Sequence, residues 1–120
     1  MGYNKNDEKR DAIRREIIKI EEKQSDVRQY KRSFEKAISN FHLRYKSLAR
    51  ASEKAVYDSI SHGNKGAANI LDVDKGINIK IDRLVDAQFH ELDSGCRRAI
   101  RKMEDEKEDL IRERNHLQWE

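Results

Sequence analysis

The sequence predicts an all-α protein, folded as an antiparallel two-helix hairpin with coiled-coil-like packing. Its 120 residues include no proline, and its apolar residues recur at alternating spacings of four and three. That rhythm keeps one row of side chains facing one neighbouring helix. Two glycines, Gly63 and Gly66, stand close together near the middle of the chain, where one long helix can end and reverse direction.

The composition indicates a narrow hydrophobic seam rather than a broad core. Hydrophobic residues make up 36% of the chain and charged residues 41%. With only three Phe and one Trp, the chain either buries a seam or borrows a core from a partner. Because 26 basic and 23 acidic residues are mixed along the sequence, a charge-covered helical surface is favoured over disorder.

The first helix is predicted over about residues 7–61. Asn4 or Asn6 can cap its start. Its seam has two polar interruptions, Gln24 and Lys31, which either fix the register of packing or mark a stretch open to solvent. The seam positions are Ile13, Ile17, Ile20, Gln24, Val27, Lys31, Phe34, Ile38, Phe41, Tyr45 and Leu48.

Residues 62–66 are predicted to form the reversal. Glycine accepts the left-handed backbone conformation that ends many helices, so Gly63 is expected just past the first helix and Gly66 within the tight turn. The alternative, one continuous helix in a long dimer, places both glycines mid-helix at a cost of about 1 kcal/mol each. The segments on either side have similar lengths, which favours the hairpin.

The second helix is predicted over about residues 67–118. Its first turns carry apolar residues at helical spacing, and the four-three rhythm returns from Val85 onward. Two acids, Glu106 and Glu113, fall on this second seam near its end. The apolar positions of the first turns are Ile70, Val73, Ile77, Ile81 and Leu84, and the seam continues through Val85, Phe89, Leu92, Cys96, Ala99, Met103, Glu106, Leu110, Glu113 and Leu117.

Hydrophobic residues outside the two seams indicate that the hairpin does not complete its own core. A two-helix hairpin leaves its flanks in water, so a helical bundle formed with a second copy or with a partner is expected. The flanking residues are Ile18, Tyr30, Leu43, Ile100 and Ile111. The residues expected to carry partner binding lie at mid-seam: Phe34, Ile38, Phe41, Tyr45, Leu48, Val85, Phe89 and Leu92.

No pattern in the sequence predicts a catalytic, cofactor or metal site. The segment HELDS, from His90, begins like a zinc-protease motif, but Ser94 stands where the second histidine is needed. The segment from Asp72 onward resembles a calcium loop, yet Arg83 replaces its bidentate glutamate. Without a catalytic constellation or a glycine-rich phosphate loop, the sequence predicts a protein that is not an enzyme and needs no cofactor.

Cysteine usage and hydropathy predict a cytoplasmic protein without a membrane span. The single cysteine, Cys96, cannot form an internal disulfide and is expected to be a small buried hydrophobe. No apolar run approaches the about 18 residues that span a bilayer, and no signal-peptide core is present. The lone tryptophan, Trp119, either packs near Ile13 or anchors a partner.

Two pieces of sequence carry a resemblance to a known family. The turn HGNKG, residues 62–66, falls where the hairpin proteins of the WXG100 superfamily reverse direction, although the chain lacks their Trp-x-Gly. The segment FHELD, Phe89 to Asp93, matches the aromatic-x-x-x-acid export signature of type VII secretion, placed mid-helix here. The chain is similar to the small helical proteins encoded beside LXG-domain toxins in type VIIb secretion systems of Gram-positive bacteria.

The resemblance implies a targeting factor or chaperone. Such a protein would bind the helical N-terminal domain of an LXG toxin, alone or with a second small helical protein. It would stay in the cytoplasm or be secreted with its partner. Phe89 and Asp93 would form the export motif, four residues apart on one helix face.

The residues leave two other functions open. A self-associating structural coiled coil, as a homodimer, fits the continuous seams. A nucleic-acid-binding module fits a pI near 9.0, but it is disfavoured because acids interleave with most of the basic runs.

Overall fold

The computed structural model describes residues 5–117, which form two long α-helices joined by a short turn. Helix α1 spans Lys5–Ser61, a 3₁₀ helix spans Lys65–Ala67, and helix α2 spans Ala68–Leu117. The predicted fold class is confirmed, since this range contains two helices joined as a hairpin and no strand. Asn6 lies inside α1 rather than capping it, and its side-chain amide donates to the Leu117 carbonyl at 3.4 Å. Asn4 and Trp119 lie outside the described residues.

The turn after α1 is built around Gly63. Its φ of 98° makes it the only residue with a positive φ in the described part of the chain. The Gly63 amide donates to the Ile60 carbonyl at 3.0 Å, and the Asn64 amide donates to the Ser59 carbonyl at 3.1 Å. These two bonds are the Schellman pattern, which satisfies carbonyls left open at a helix end. Gly66 lies in the 3₁₀ helix that follows and needs no left-handed conformation.

The chain divides into two compact units, each containing a piece of both helices. The first, here called the stem unit, contains Met1–Arg32 and Asp93–Glu120, of which residues 5–32 and 93–117 are described. The second, here called the turn unit, contains Ser33–Leu92. The sequence prediction of a single hairpin domain does not anticipate this division, and the two units differ in what they bury.

The stem unit has an aliphatic core at the predicted seam. Ile13, Ile17 and Leu117 are buried together, and Leu110 and Ile111 pack against them. Ile20, one turn further along α1, is also buried. Ile111 was expected to stay in water, and this was wrong, because it lies beside Leu110 on the side of α2 that covers the cluster.

Gln24 is the one buried polar side chain within residues 5–117. Its amide nitrogen donates to a carboxylate oxygen of Glu104 at 2.7 Å, and Lys107 pairs with the same oxygen at 3.2 Å. The hydrogen bond from Gln24, and then that from Lys107, lowers the pKa of the Glu104 carboxyl below its ordinary value of 4.5. Gln24 therefore does not mark a solvent-open stretch, and its cross-helix bond fits a role in fixing register.

The second seam differs from its prediction near the end of α2. Glu106 and Glu113 are exposed, and the next residues, Lys107 and Arg114, are half-buried in their place. Long cationic side chains can cover a core with their aliphatic stems while their charged ends reach water, whereas a carboxylate on a short stem cannot. At these two positions the residue that faces α1 lies one later than predicted, whereas Met103, Leu110 and Leu117 face it as predicted.

Candidate partner-binding surface

The two helices of the turn unit face each other through apolar side chains and a few polar pairs. The half-buried apolar residues include Ile38, Leu71, Ile81, Phe89 and Leu92. The imidazole Nε2 of His42 lies 2.8 Å from a carboxylate oxygen of Asp82, and the Tyr45 hydroxyl donates to the Asn78 side-chain oxygen at 2.6 Å. A third contact, from the Ser52 hydroxyl to Asp74, is longer at 3.4 Å. The buried apolar side chains of this unit are few: Val56, Ala67 and Val85.

On α1, three of the large apolar residues predicted to face α2 lie at the edge of the interface and are half exposed or more. Phe34, Phe41 and Leu48 expose 50%, 52% and 70% of their surface. The next residue after each of these three is half-buried instead. These residues are Glu35, His42 and Ala49. The prediction that these apolar residues face α2 was therefore wrong by one residue, or about 100° around the helix.

On α2, the same shift occurs over its first turns. Ile70, Ile77 and Leu84 are exposed, and so is Val73. Leu71 and Asn78 face inward, together with Ile81 and the predicted seam residue Val85. One physical reason is pairing, because the inward rows place Asn78 opposite Tyr45, and a satisfied polar pair can occupy an interface that is only half closed to water. The bond between His42 and Asp82 lies at the edge of the interface, where Asp82 is exposed.

The exposed rows of the two helices lie on one face of the turn unit. Phe41 and Leu84 line one groove of about 240 Å³, and Leu48 and Ile77 line a cleft of about 260 Å³. Within each row the residues are seven apart, so they stay on one side of their helix. We call this surface the apolar face and define it by six residues: Phe34, Phe41, Leu48, Ile70, Ile77 and Leu84.

The remaining predicted binding residues lie deeper in the hairpin. Val85 is buried, and Ile38, Tyr45, Phe89 and Leu92 are half-buried. The Tyr45 ring also stacks on Phe41, with ring centres 6.5 Å apart. The predicted seam thus contains two kinds of residue. Some pack between the helices, and others, such as Phe41, stay exposed to solvent. The sequence analysis named Ile70, Ile77 and Leu84 only as helix residues. Their seven-residue spacing already indicates that they share one side of α2.

The proposed export motif has its acid engaged within the stem unit. Asp93 accepts from the Lys31 ammonium at 2.9 Å and from the Arg97 guanidinium at 3.1 Å. Lys31, the second polar residue of the predicted first seam, is thereby held across the helix pair. Whether Phe89 and Asp93 act in export stays a prediction.

The described residues offer no arrangement suited to metal chemistry. Across residues 5–117 no group of three or more His, Cys, Asp or Glu side chains comes together. Asp74, in the segment that resembled a calcium loop, lies inside helix α2 and accepts from the Ser52 hydroxyl. Cys96 is half-buried with a free thiol rather than fully buried as expected.

Comparison with known proteins returns no relative. No family model matches the sequence, and no curated protein or solved structure gives a significant match. Within residues 5–117 neither helix has a stretch that combines the length and the apolar character required to cross a membrane.

Proposed function

We propose that this protein is a non-enzymatic helical adaptor that binds a helical partner through the apolar face of the turn unit. The observation that supports this most strongly is that six large apolar side chains remain between 44% and 70% exposed at the edge of the helix pair. Contiguous exposed apolar rows of this kind are typical of protein interaction sites.

The energetics favour a partner helix as the occupant. Completing the burial of each half-exposed side chain would contribute on the order of 1 kcal/mol. Six such residues together contribute about 6 kcal/mol against the cost of association, and the apolar surface that the partner buries adds to this gain. Rows with seven-residue spacing suit a helix in particular, because a second helix presents knobs at the same spacing.

The resemblance to proteins encoded beside LXG toxins supports a specific partner class. In this proposal the protein is a targeting chaperone for the helical N-terminal domain of an LXG toxin, and a second small helical protein can complete the bundle. Phe89 and Asp93 then contribute to recognition by the type VIIb secretion machinery. The protein acts in the cytoplasm, before or during export of the toxin.

Co-expression with the N-terminal domain of an LXG toxin encoded in the same gene cluster tests this proposal. We expect the two proteins to co-purify as a heteromer of defined mass by light scattering. Phe41→Asp should abolish co-purification, since it places a charge in the centre of the apolar face.

Leu43→Asp is the matched control for that experiment. Leu43 exposes 66% of its surface, but it lies two residues beyond Phe41, about 200° around the helix, and outside the apolar face. The proposal expects this variant to co-purify like the wild type. Failure of the wild-type protein to form a heteromer, or equal sensitivity to both substitutions, would contradict it.

A further inference from the structure

We infer that the cleft beside Leu48 and Ile77 receives a basic side chain of the partner helix, and that Asp74 pairs with its cationic group. This inference rests on the proposed function and adds the chemistry by which the partner is recognised. It follows from an incompletely bonded carboxylate, from the apolar lining of the cleft and from the position of the cleft beside the apolar face.

Asp74 is a half-buried carboxylate whose hydrogen bonding is weak. Within residues 5–117 its side chain accepts one hydrogen bond, from the Ser52 hydroxyl at 3.4 Å, and forms no ion pair. The carboxylates of Asp82, Asp93 and Glu104, which also bond across the helix pair, have partners at 2.8, 2.9 and 2.7 Å. Because an ionised carboxylate accepts several hydrogen bonds, Asp74 has capacity for a further and closer donor.

The other charges that line the cleft offset each other. They are one carboxylate, on Glu53, and one ammonium, on Lys75, and both side chains are exposed. Glu53 lies five residues after Leu48 and Lys75 lies two before Ile77, which places each more than about 100° around its helix from the apolar face. The charge of Asp74 therefore stays uncompensated, and the cleft attracts a cation rather than an anion.

The lining of the cleft suits the aliphatic stem of a long basic side chain. It includes the apolar residues Leu48, Ala49, Leu71 and Ile77 and the ring of Tyr45, around a volume of about 260 Å³. Lys and Arg side chains bury their methylene stems along apolar surface while the charged end reaches a polar group. A charge-assisted hydrogen bond from such an end to a half-buried carboxylate is roughly twice as strong as a neutral one.

A helix on the apolar face is positioned to supply this side chain. Asp74 lies three residues before Ile77, and Ser52 lies four after Leu48, so each stands one turn away on the same side of its helix. Leu48 and Ile77 belong to the two seven-residue rows of the apolar face, so a helix that covers those rows passes over the cleft. A basic residue on the inner side of that helix then meets Asp74, and an apolar residue at the same position leaves the carboxylate without a close donor.

Binding of two synthetic helical peptides to the full chain tests the inference. The peptides share one apolar heptad row and differ at a single central position of that row, which is Lys in one and Met, an uncharged side chain of similar length, in the other. We expect the Lys peptide to bind the wild-type protein at least about tenfold more tightly, as measured by fluorescence anisotropy. Asp74→Asn keeps the shape of the side chain and removes its charge, so it should abolish the preference for Lys.

Asp72→Asn is the matched control for that variant. Asp72 is an exposed acid two residues earlier on α2, about 200° around the helix from Asp74, and it does not line the cleft. This variant should keep the preference for the Lys peptide.

Equal binding of the two peptides to the wild type, or the same loss of preference in both variants, would overturn the inference and leave the adaptor function standing. Absence of binding to either peptide, or a homodimer that dissociates on Asp74→Asn, would also overturn it. Failure of the proposed function shows separately, because the wild-type protein then does not co-purify with the toxin domain.

Discussion

The stem unit and the turn unit are built from the same two helices but place their apolar residues differently. In the stem unit Ile13, Ile17 and Leu117 are buried together and the polar Gln24 is bonded within the helix pair. In the turn unit Val85 is buried, whereas the six residues of the apolar face are 44% to 70% exposed. The contrast indicates that the stem unit contains the aliphatic cluster and that the turn unit leaves more apolar surface exposed.

The largest expected effect comes from removing an apolar side chain of the stem core. Ile17→Ala should lower the free energy of unfolding by about 2 to 4 kcal/mol, because it deletes buried methyl groups and leaves a cavity. Phe41→Ala removes a larger side chain that is half exposed, and in the free protein it should cost less than about 1 kcal/mol. Urea unfolding followed by circular dichroism measures both. Equal losses of unfolding free energy would contradict the claim that Ile17 is packed in a core and Phe41 is not.

The next effect concerns the turn that joins the helices. Gly63→Ala should lower the free energy of unfolding by about 1 to 2 kcal/mol, since a φ of 98° is strained for any residue with a Cβ atom. Gly66→Ala is the matched control and should stay within about 0.5 kcal/mol of the wild type. A Cβ atom there meets its nearest neighbour, the Asn64 side-chain oxygen, at 3.5 Å. A large loss for Gly66→Ala would mean that the 3₁₀ segment is more constrained than its geometry indicates.

The smallest expected effect is the pH-dependent contribution of Glu104 to the stability of the stem unit. The Gln24 hydrogen bond lowers the folded-state pKa of Glu104, so the folded protein favours the ionised carboxyl. Its contribution to stability is therefore fully present above the unfolded-state pKa, the ordinary value of 4.5, and is lost as pH falls through the lower folded-state value. Urea unfolding of wild type and Glu104→Gln at pH 7 and pH 3 should show a difference in stability that narrows at the lower pH. A difference that widens on acidification would reverse the assigned direction of the pKa shift.

The fold could be predicted from the sequence because its signals are local or strongly periodic. The glycine that reverses the chain needs a left-handed backbone, and Gly63 adopts that conformation. The isoleucines of the stem unit have no competing apolar row beside them, so spacing alone identifies the buried side of α1.

The candidate site could be predicted only in part. In the turn unit each large apolar residue is followed by a residue that can also face the partner helix, as Phe41 is followed by His42. Hydrophobicity alone predicts that Phe41 faces α2. The hydrogen bond between His42 and Asp82, forty residues away, favours His42 at that position. Such long-range pairing cannot be read from periodicity within one helix. The orientation of the residues named for binding could therefore not be read from the sequence, and their role in binding stays a prediction.

The orientation of the apolar rows in the turn unit is the central claim, and thiol labelling tests it most directly. In a Cys96→Ser background, the reaction rate with a thiol reagent would be measured for Phe41→Cys, for Leu43→Cys as an exposed reference and for Val85→Cys as a buried one. The measurement requires a protein concentration at which light scattering shows a monomer. The structure predicts that Phe41→Cys reacts about as fast as Leu43→Cys and much faster than Val85→Cys, which stands at a position only 3% exposed. A rate for Phe41→Cys as slow as that for Val85→Cys would place residue 41 in the seam between the helices and contradict the account.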